Sequence, residues 1–171
     1  QTAAITPGTL NQGTLLYTLA HTTGTHLGVN LAYIGAFTWA LTLLYKTKTI
    51  PILLAATLTQ TALLHLAGPH DTRIVGASGL LYAQYAILTL TLLKMRKPYP
   101  GLLAAITTTA FAPALIIETN PYLASTNTSW ESHLLGLAAG TIIALILKTP
   151  PDTVTEHLQR KQACETTQRT Q

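Results

Sequence analysis

The sequence predicts an all-α fold, a polytopic bundle of membrane-spanning helices, and two observations predict it. Of the 171 residues, 48% are hydrophobic and only 9% are charged, against roughly 25% charged in an ordinary soluble domain. The apolar residues also gather into five blocks, Leu27 to Tyr45, Ile50 to Ala67, Leu80 to Leu93, Leu102 to Ile117 and Leu134 to Leu147, with no Lys, Arg, Asp or Glu inside any of them. A soluble helical bundle would show polar stripes at helical spacing on its outer helices. Here Thr is almost the only polar residue within the blocks, and its hydroxyl can bond back to its own helix in lipid.

Taken in order, residues 1–20 read as an outer lead-in loop, irregular and interfacial, with Pro7, Gly8 and Gly13 as breakers. The five blocks follow as short spans. Each approaches the roughly 17 to 20 residues that cross a hydrocarbon core when its polar flanks are included. Pro51 falls in the first turn of the second span, where its missing N–H costs nothing. Pro113 lies inside the fourth, where a kink with a freed carbonyl is expected. Residues 21–148 form the membrane core. Residues 149–171, rich in Thr, Gln, Glu and Arg, form a polar tail.

Charge sets the orientation. Lys46 and Lys48 follow the first span, Lys94, Arg96 and Lys97 the third, and Lys148 the fifth, while the tail adds Arg160, Lys161 and Arg169. Nine of the ten Lys and Arg residues therefore share one side, which the positive-inside rule makes cytoplasmic. The first turns of spans one, three and five then lie at one depth on the opposite, non-cytoplasmic face. A multi-pass protein of the cell membrane is expected, with its tail in the cytoplasm.

Several classes of chemistry are excluded. The net charge of +4 is explained by topology, and no basic patch interleaved with aromatics points to nucleic acid. The one cysteine, Cys164, sits in the tail and forms no internal disulfide. A zinc protease would need HExxH, which is absent. An intramembrane aspartyl enzyme would need two aspartates within spans, yet only Asp71 and Asp152 exist, both outside. No metal or cofactor is expected. GxSxG also fails, because Leu80 takes the place of the last glycine.

Ionisable and polar side chains at membrane depth are costly and usually functional. At the outer span ends stand His21, His26 and Asn30, the Gly76-Ala77-Ser78-Gly79 turn, and His133. Ser78 opens the third span and His133 the fifth, so the two can meet. A serine hydroxyl needs a base to become a nucleophile, and imidazole is the usual one. The start of a helix also offers free backbone N–H groups to an oxyanion. Gly79 with Ala83, and Gly136 with Gly140, are two small-xxx-small pairs that let helices approach just below these residues.

The strings HTTGTHLGVN, GASGLLYA and SHLLGLAAG together resemble the rhomboid family of intramembrane serine proteases over about residues 20–148. The resemblance implies a Ser78–His133 catalytic dyad without an acidic third member. It implies an oxyanion hole from His26, Asn30 and the backbone around Ser78, Ala77 included. Tyr82 would pack on the His133 ring, with Gly76, Gly79, Gly136 and Gly140 shaping the site and His21 bonding the first loop. The family's first span and the Trp-Arg pair of its long first loop are not visible, leaving five spans. The implied partners are the bilayer and single-span membrane substrates. The rival reading is a rhomboid-like pseudoprotease that binds membrane clients without cutting them; a small transporter would instead place polar residues near mid-membrane.

Overall fold

In a computed structural model of the chain, residues 4–9, 17, 24–69, 73–95, 98–124 and 129–150 are described, without the side chains of residues 25, 26 and 98. Five α-helices account for most of them: α1 (Gly24–Tyr45), α2 (Thr49–Ala67), α3 (Ser78–Lys94), α4 (Pro98–Glu118) and α5 (Trp130–Ile146). They coincide with the five apolar blocks and extend them by a few residues into the polar flanks. A single 3₁₀ turn, Lys46–Lys48, joins α1 to α2. By length and composition, residues 27–67 and 99–118 are able to cross a bilayer, while α3 and α5 have 17 residues each.

The centre of the bundle is α3. Residues 81–88 are buried without interruption, as expected of a helix that is apolar on every side, and α3 packs against all four other helices. Its most extensive contact is with α5, and the reason is backbone proximity. A methyl group built on Gly136 would run into the Gly79 carbonyl and lie 3.1 Å from its Cα. One turn on, a methyl on Gly140 would lie 2.7 Å from Ala83 Cα. Without a hydrophobic drive between helices in lipid, association rests on such close packing. Glycine at 136 and 140 lets α5 approach the α3 backbone directly.

The opposite ends of these two helices are tied by charge. Lys94, in the last turn of α3, donates from Nζ to the carbonyls of Ala144, Leu145 and Leu147. These are orphan acceptors at the end of α5, where the helix dipole also favours a cation. Pro113 does not end α4, which continues through it to Glu118.

Of the lead-in, residues 4–9 and 17 are described, and Ile5 and Tyr17 among them are buried. Ile5 and Ile74 exchange both backbone bonds at 2.9 Å, an isolated antiparallel bridge between the lead-in and the α2–α3 loop. Ile5, Tyr17, Leu64 and Ile74 form a small buried cluster under that bridge. Ile5 and Tyr17 thus pack where the end of α2 meets the loop that leads into α3. The tail, 151–171, and residue 164 within it lie outside the described residues.

Candidate active site

The loop before α3 sets the height and direction of Ser78. Gly76 has φ 114°, a conformation open to glycine and strained for other residues, and its N–H donates to the Tyr17 carbonyl at 2.8 Å. Ala77 is buried and serves as N-cap without a side-chain bond. Leu81 N–H bonds the Ala77 carbonyl at 3.1 Å, the first turn of α3. The N–H groups at this end have no helical acceptor of their own.

His133 enters from the first turn of α5, which is capped by Ser129 accepting from Ser132 N–H at 3.3 Å. Its ring is buried, 3% exposed, and Nε2 lies 2.8 Å from Ser78 Oγ. The other ring nitrogen, Nδ1, lies 2.9 Å from the backbone carbonyl of Glu118. A carbonyl only accepts, so Nδ1 carries the hydrogen, and in the neutral ring Nε2 is left to accept from Ser78 Oγ–H. That tautomer is the one able to take a proton from the serine.

Tyr82 stacks on the imidazole with centroids 4.4 Å apart and planes 16° apart. Its hydroxyl donates to the Ala114 carbonyl at 3.1 Å. Phe111 then packs 5.2 Å from the Tyr82 ring and 5.8 Å from Tyr33, so that one aromatic seam from α1, α3 and α4 closes the floor. Above it lies a cavity of about 270 Å³ lined by Ser78, His133, Asn30, Glu118, Tyr82 and Phe111 among others.

Asn30 is 6% exposed, and its Nδ2 has no hydrogen-bond partner among the described residues. An unpaired buried donor is uncommon in a native interior. Here it lines the same cavity as Ser78. Asn30 is the seventh residue of α1, so this level lies about 9 Å below the helix start along its axis. Ser78 therefore shares its cavity with a residue set well below the start of α1.

The structure brings together Ser78, His133, Tyr82 and Asn30, and it places Gly76, Ala77, Gly79, Gly136 and Gly140 in the surrounding backbone. His26 lies one turn before Asn30 in α1, its side chain outside the described atoms, and His21 falls outside the described residues altogether. Among the described residues no group of acids, histidines and cysteines is arranged to hold a metal.

Three participants had no signature in the motifs. Glu118 ends α4 and supplies the carbonyl on Nδ1, with its carboxylate Oε2 3.9 Å from the same nitrogen. An acidic residue approaches His133 although no apolar block contains one, because α4 extends one residue past its block. Tyr17 supplies the carbonyl on Gly76. Thr61 spends its own hydrogen on the Thr57 carbonyl at 2.8 Å, so the Tyr17 phenol is the donor across the 3.5 Å to Thr61 Oγ1. Burial raises the pKa of that phenol, with the Thr61 bond opposing in part, and the group stays protonated. Gln60, one of the two glutamines in the apolar blocks, is fully buried behind the site.

Comparison with known proteins agrees with this architecture. A family model described as the Rhomboid domain matches residues 12–150. No curated protein matches the chain.

Proposed function

The chain belongs to the rhomboid family, and from that premise we propose that it is an intramembrane serine protease using Ser78 as nucleophile and His133 as general base. Family membership makes it a multi-pass integral membrane protein, of a family that acts on membrane protein substrates within the bilayer. The observation that carries the finer reading is the 2.8 Å approach of His133 Nε2 to Ser78 Oγ, with Nδ1 committed to a carbonyl.

In this mechanism Nε2 takes the Oγ proton as Oγ bonds to the scissile carbonyl carbon. The carbonyl π electrons move onto oxygen, and that oxyanion accepts from Asn30 Nδ2, with the backbone N–H groups at the start of α3 and His26 as further donors. The imidazolium then protonates the leaving amine as the C–N bond breaks. Water, deprotonated by the same nitrogen, releases the acyl group and restores Ser78. Tyr82 holds the ring plane throughout.

Orientation of the base is assigned to a main-chain carbonyl, and this has a measurable consequence. Glu118→Gln keeps the carbonyl and removes the charge. A partly exposed ion pair contributes about 0.2 to 1 kcal/mol, so kcat of the variant is expected within about fivefold of wild type. A loss near the 10⁴-fold typical of removing a triad carboxylate would transfer the orienting role to the Glu118 side chain.

The substrates proposed are single-span proteins cut near their outer ends, since backbone in lipid must be unwound into a wet notch before it can be attacked. We place the site on the non-cytoplasmic face of the cell membrane, the 21–148 core within the bilayer and the 149–171 tail in the cytoplasm, on the charge asymmetry. A fluorophosphonate, which modifies activated serines, tests both parts. The detergent-solubilised chain should be labelled at Ser78, and a membrane-impermeant form should label it on intact cells. An unreactive Ser78 would favour the non-cleaving, client-binding reading. Labelling confined to opened cells would reverse the orientation.

A further inference from the structure

Gln60 does not line the Ser78 cavity, yet it touches the chain beside both proposed catalytic residues. It is fully buried on α2. Its Nε2 donates to Ser132 Oγ at 3.3 Å and to the Ser132 carbonyl at 3.4 Å, and Ser132 directly precedes His133. The same amide fills the space over Gly79, the residue after Ser78. A methyl built on Gly79 would lie 2.7 Å from Gln60 Cδ and 3.0 Å from Ser132 Oγ.

We infer that Gln60 is a positioning residue that sets the rotation of α5 about its axis, and so the aim of His133 at Ser78; the inference rests on the protease reading. Ser132 and His133 are separated by about 100° around the helix. A donor that grips Ser132 from α2 therefore fixes where His133 points, whereas Gly79–Gly136 and Ala83–Gly140 contacts fix how closely α3 and α5 approach but leave small rotations soft. Gln60 Oε1 is buried with no partner among the described residues. A side chain placed only to fill space would be served as well by methionine, which has no amide to desolvate. The half-paired glutamine at the junction of three helices is explained by the bond its nitrogen makes. The neighbouring Thr61 receives the Tyr17 hydroxyl, and Tyr17 holds Gly76, so adjacent residues of α2 are linked to both chain segments that present the dyad.

The experiment compares the full-length wild type, Gln60→Met, Ser132→Ala and the double variant in detergent. It measures kcat and KM on a membrane reporter, fluorophosphonate labelling rate, and thermal unfolding midpoint. A misplacement of about 1 Å at a reacting pair can cost on the order of 10²-fold. Gln60→Met is expected to lower kcat and labelling by at least about tenfold, with KM within about twofold and an unfolding midpoint equal to or above wild type. Ser132→Ala should reproduce part of the loss, and the double variant should be no slower than Gln60→Met, because one acts through the other. Rates within about twofold of wild type, a loss matched by loss of folded protein, or additive losses would each overturn the positioning role. A wild-type chain that neither labels nor cleaves would overturn the protease reading itself, and the proposal with it.

Discussion

Ser78→Ala and His133→Ala are each expected to lower turnover of a membrane reporter by about 10⁴- to 10⁶-fold, with the double variant scarcely worse. The effect is large because each residue is useless alone. Without His133 the Oγ proton has no acceptor among the groups that line the cavity and touch it, and without Oγ the imidazole has nothing to activate. The structure also explains why neither variant should unfold. Ser78 makes no helix cap, since Ala77 holds that position without a side-chain bond. The helix contact beneath the dyad is made by Gly79, Ala83, Gly136 and Gly140. Initial rates with unfolding midpoints decide the matter: either single variant retaining more than about a hundredth of wild-type turnover, or a double variant many times slower than both, would break the unit.

What was legible in the sequence follows from which interactions leave side-chain signatures. The helices were legible because a bilayer demands long charge-free runs, and the apolar blocks fall inside α1 to α5, with only Leu147 beyond the last helix. The meeting of Ser78 with His133 was legible from depth, since both open spans running in the same direction. The stacking of Tyr82 on His133 was legible only through the family resemblance, because nothing in residue spacing alone says which ring a tyrosine will face.

The contacts made by main-chain carbonyls were not legible. Tyr17 holds Gly76, and Glu118 holds His133, through atoms every residue possesses, so position in the fold decides them and residue type does not. Proline and glycine in the lead-in point to an irregular interfacial strip, whereas two of its residues, Ile5 and Tyr17, are buried and Ile5 exchanges both backbone bonds with Ile74. Gln60 did leave a signal. An amide in the middle of an apolar run is expensive in lipid, and Gln60 stands at a helix junction that periodicity does not assign.

The second large effect is expected at Asn30, and its sign on stability differs from its sign on rate. Most buried side-chain donors are bonded, so removing one usually costs stability. Nδ2 of Asn30 has no partner among the described residues, and Asn30→Ala therefore gives up no Nδ2 bond to any of them and removes a buried unpaired donor. Its unfolding midpoint should match or exceed that of wild type. Rate should move the other way. Asn30 lines the cavity that holds Ser78, where in the proposed mechanism a carbonyl oxygen becomes an anion as Oγ attacks, and a pre-placed N–H contributes about 3 to 4 kcal/mol to that state. Turnover should fall by about 10²- to 10³-fold, mostly in kcat, because the bond strengthens only as charge develops. Asn30→Asp, which keeps the shape but exchanges the donor for an acceptor, should be at least as slow. Unchanged kcat would remove Asn30 from the reaction, and a lowered unfolding midpoint in proportion to lost activity would assign it to packing between α1 and the central helix.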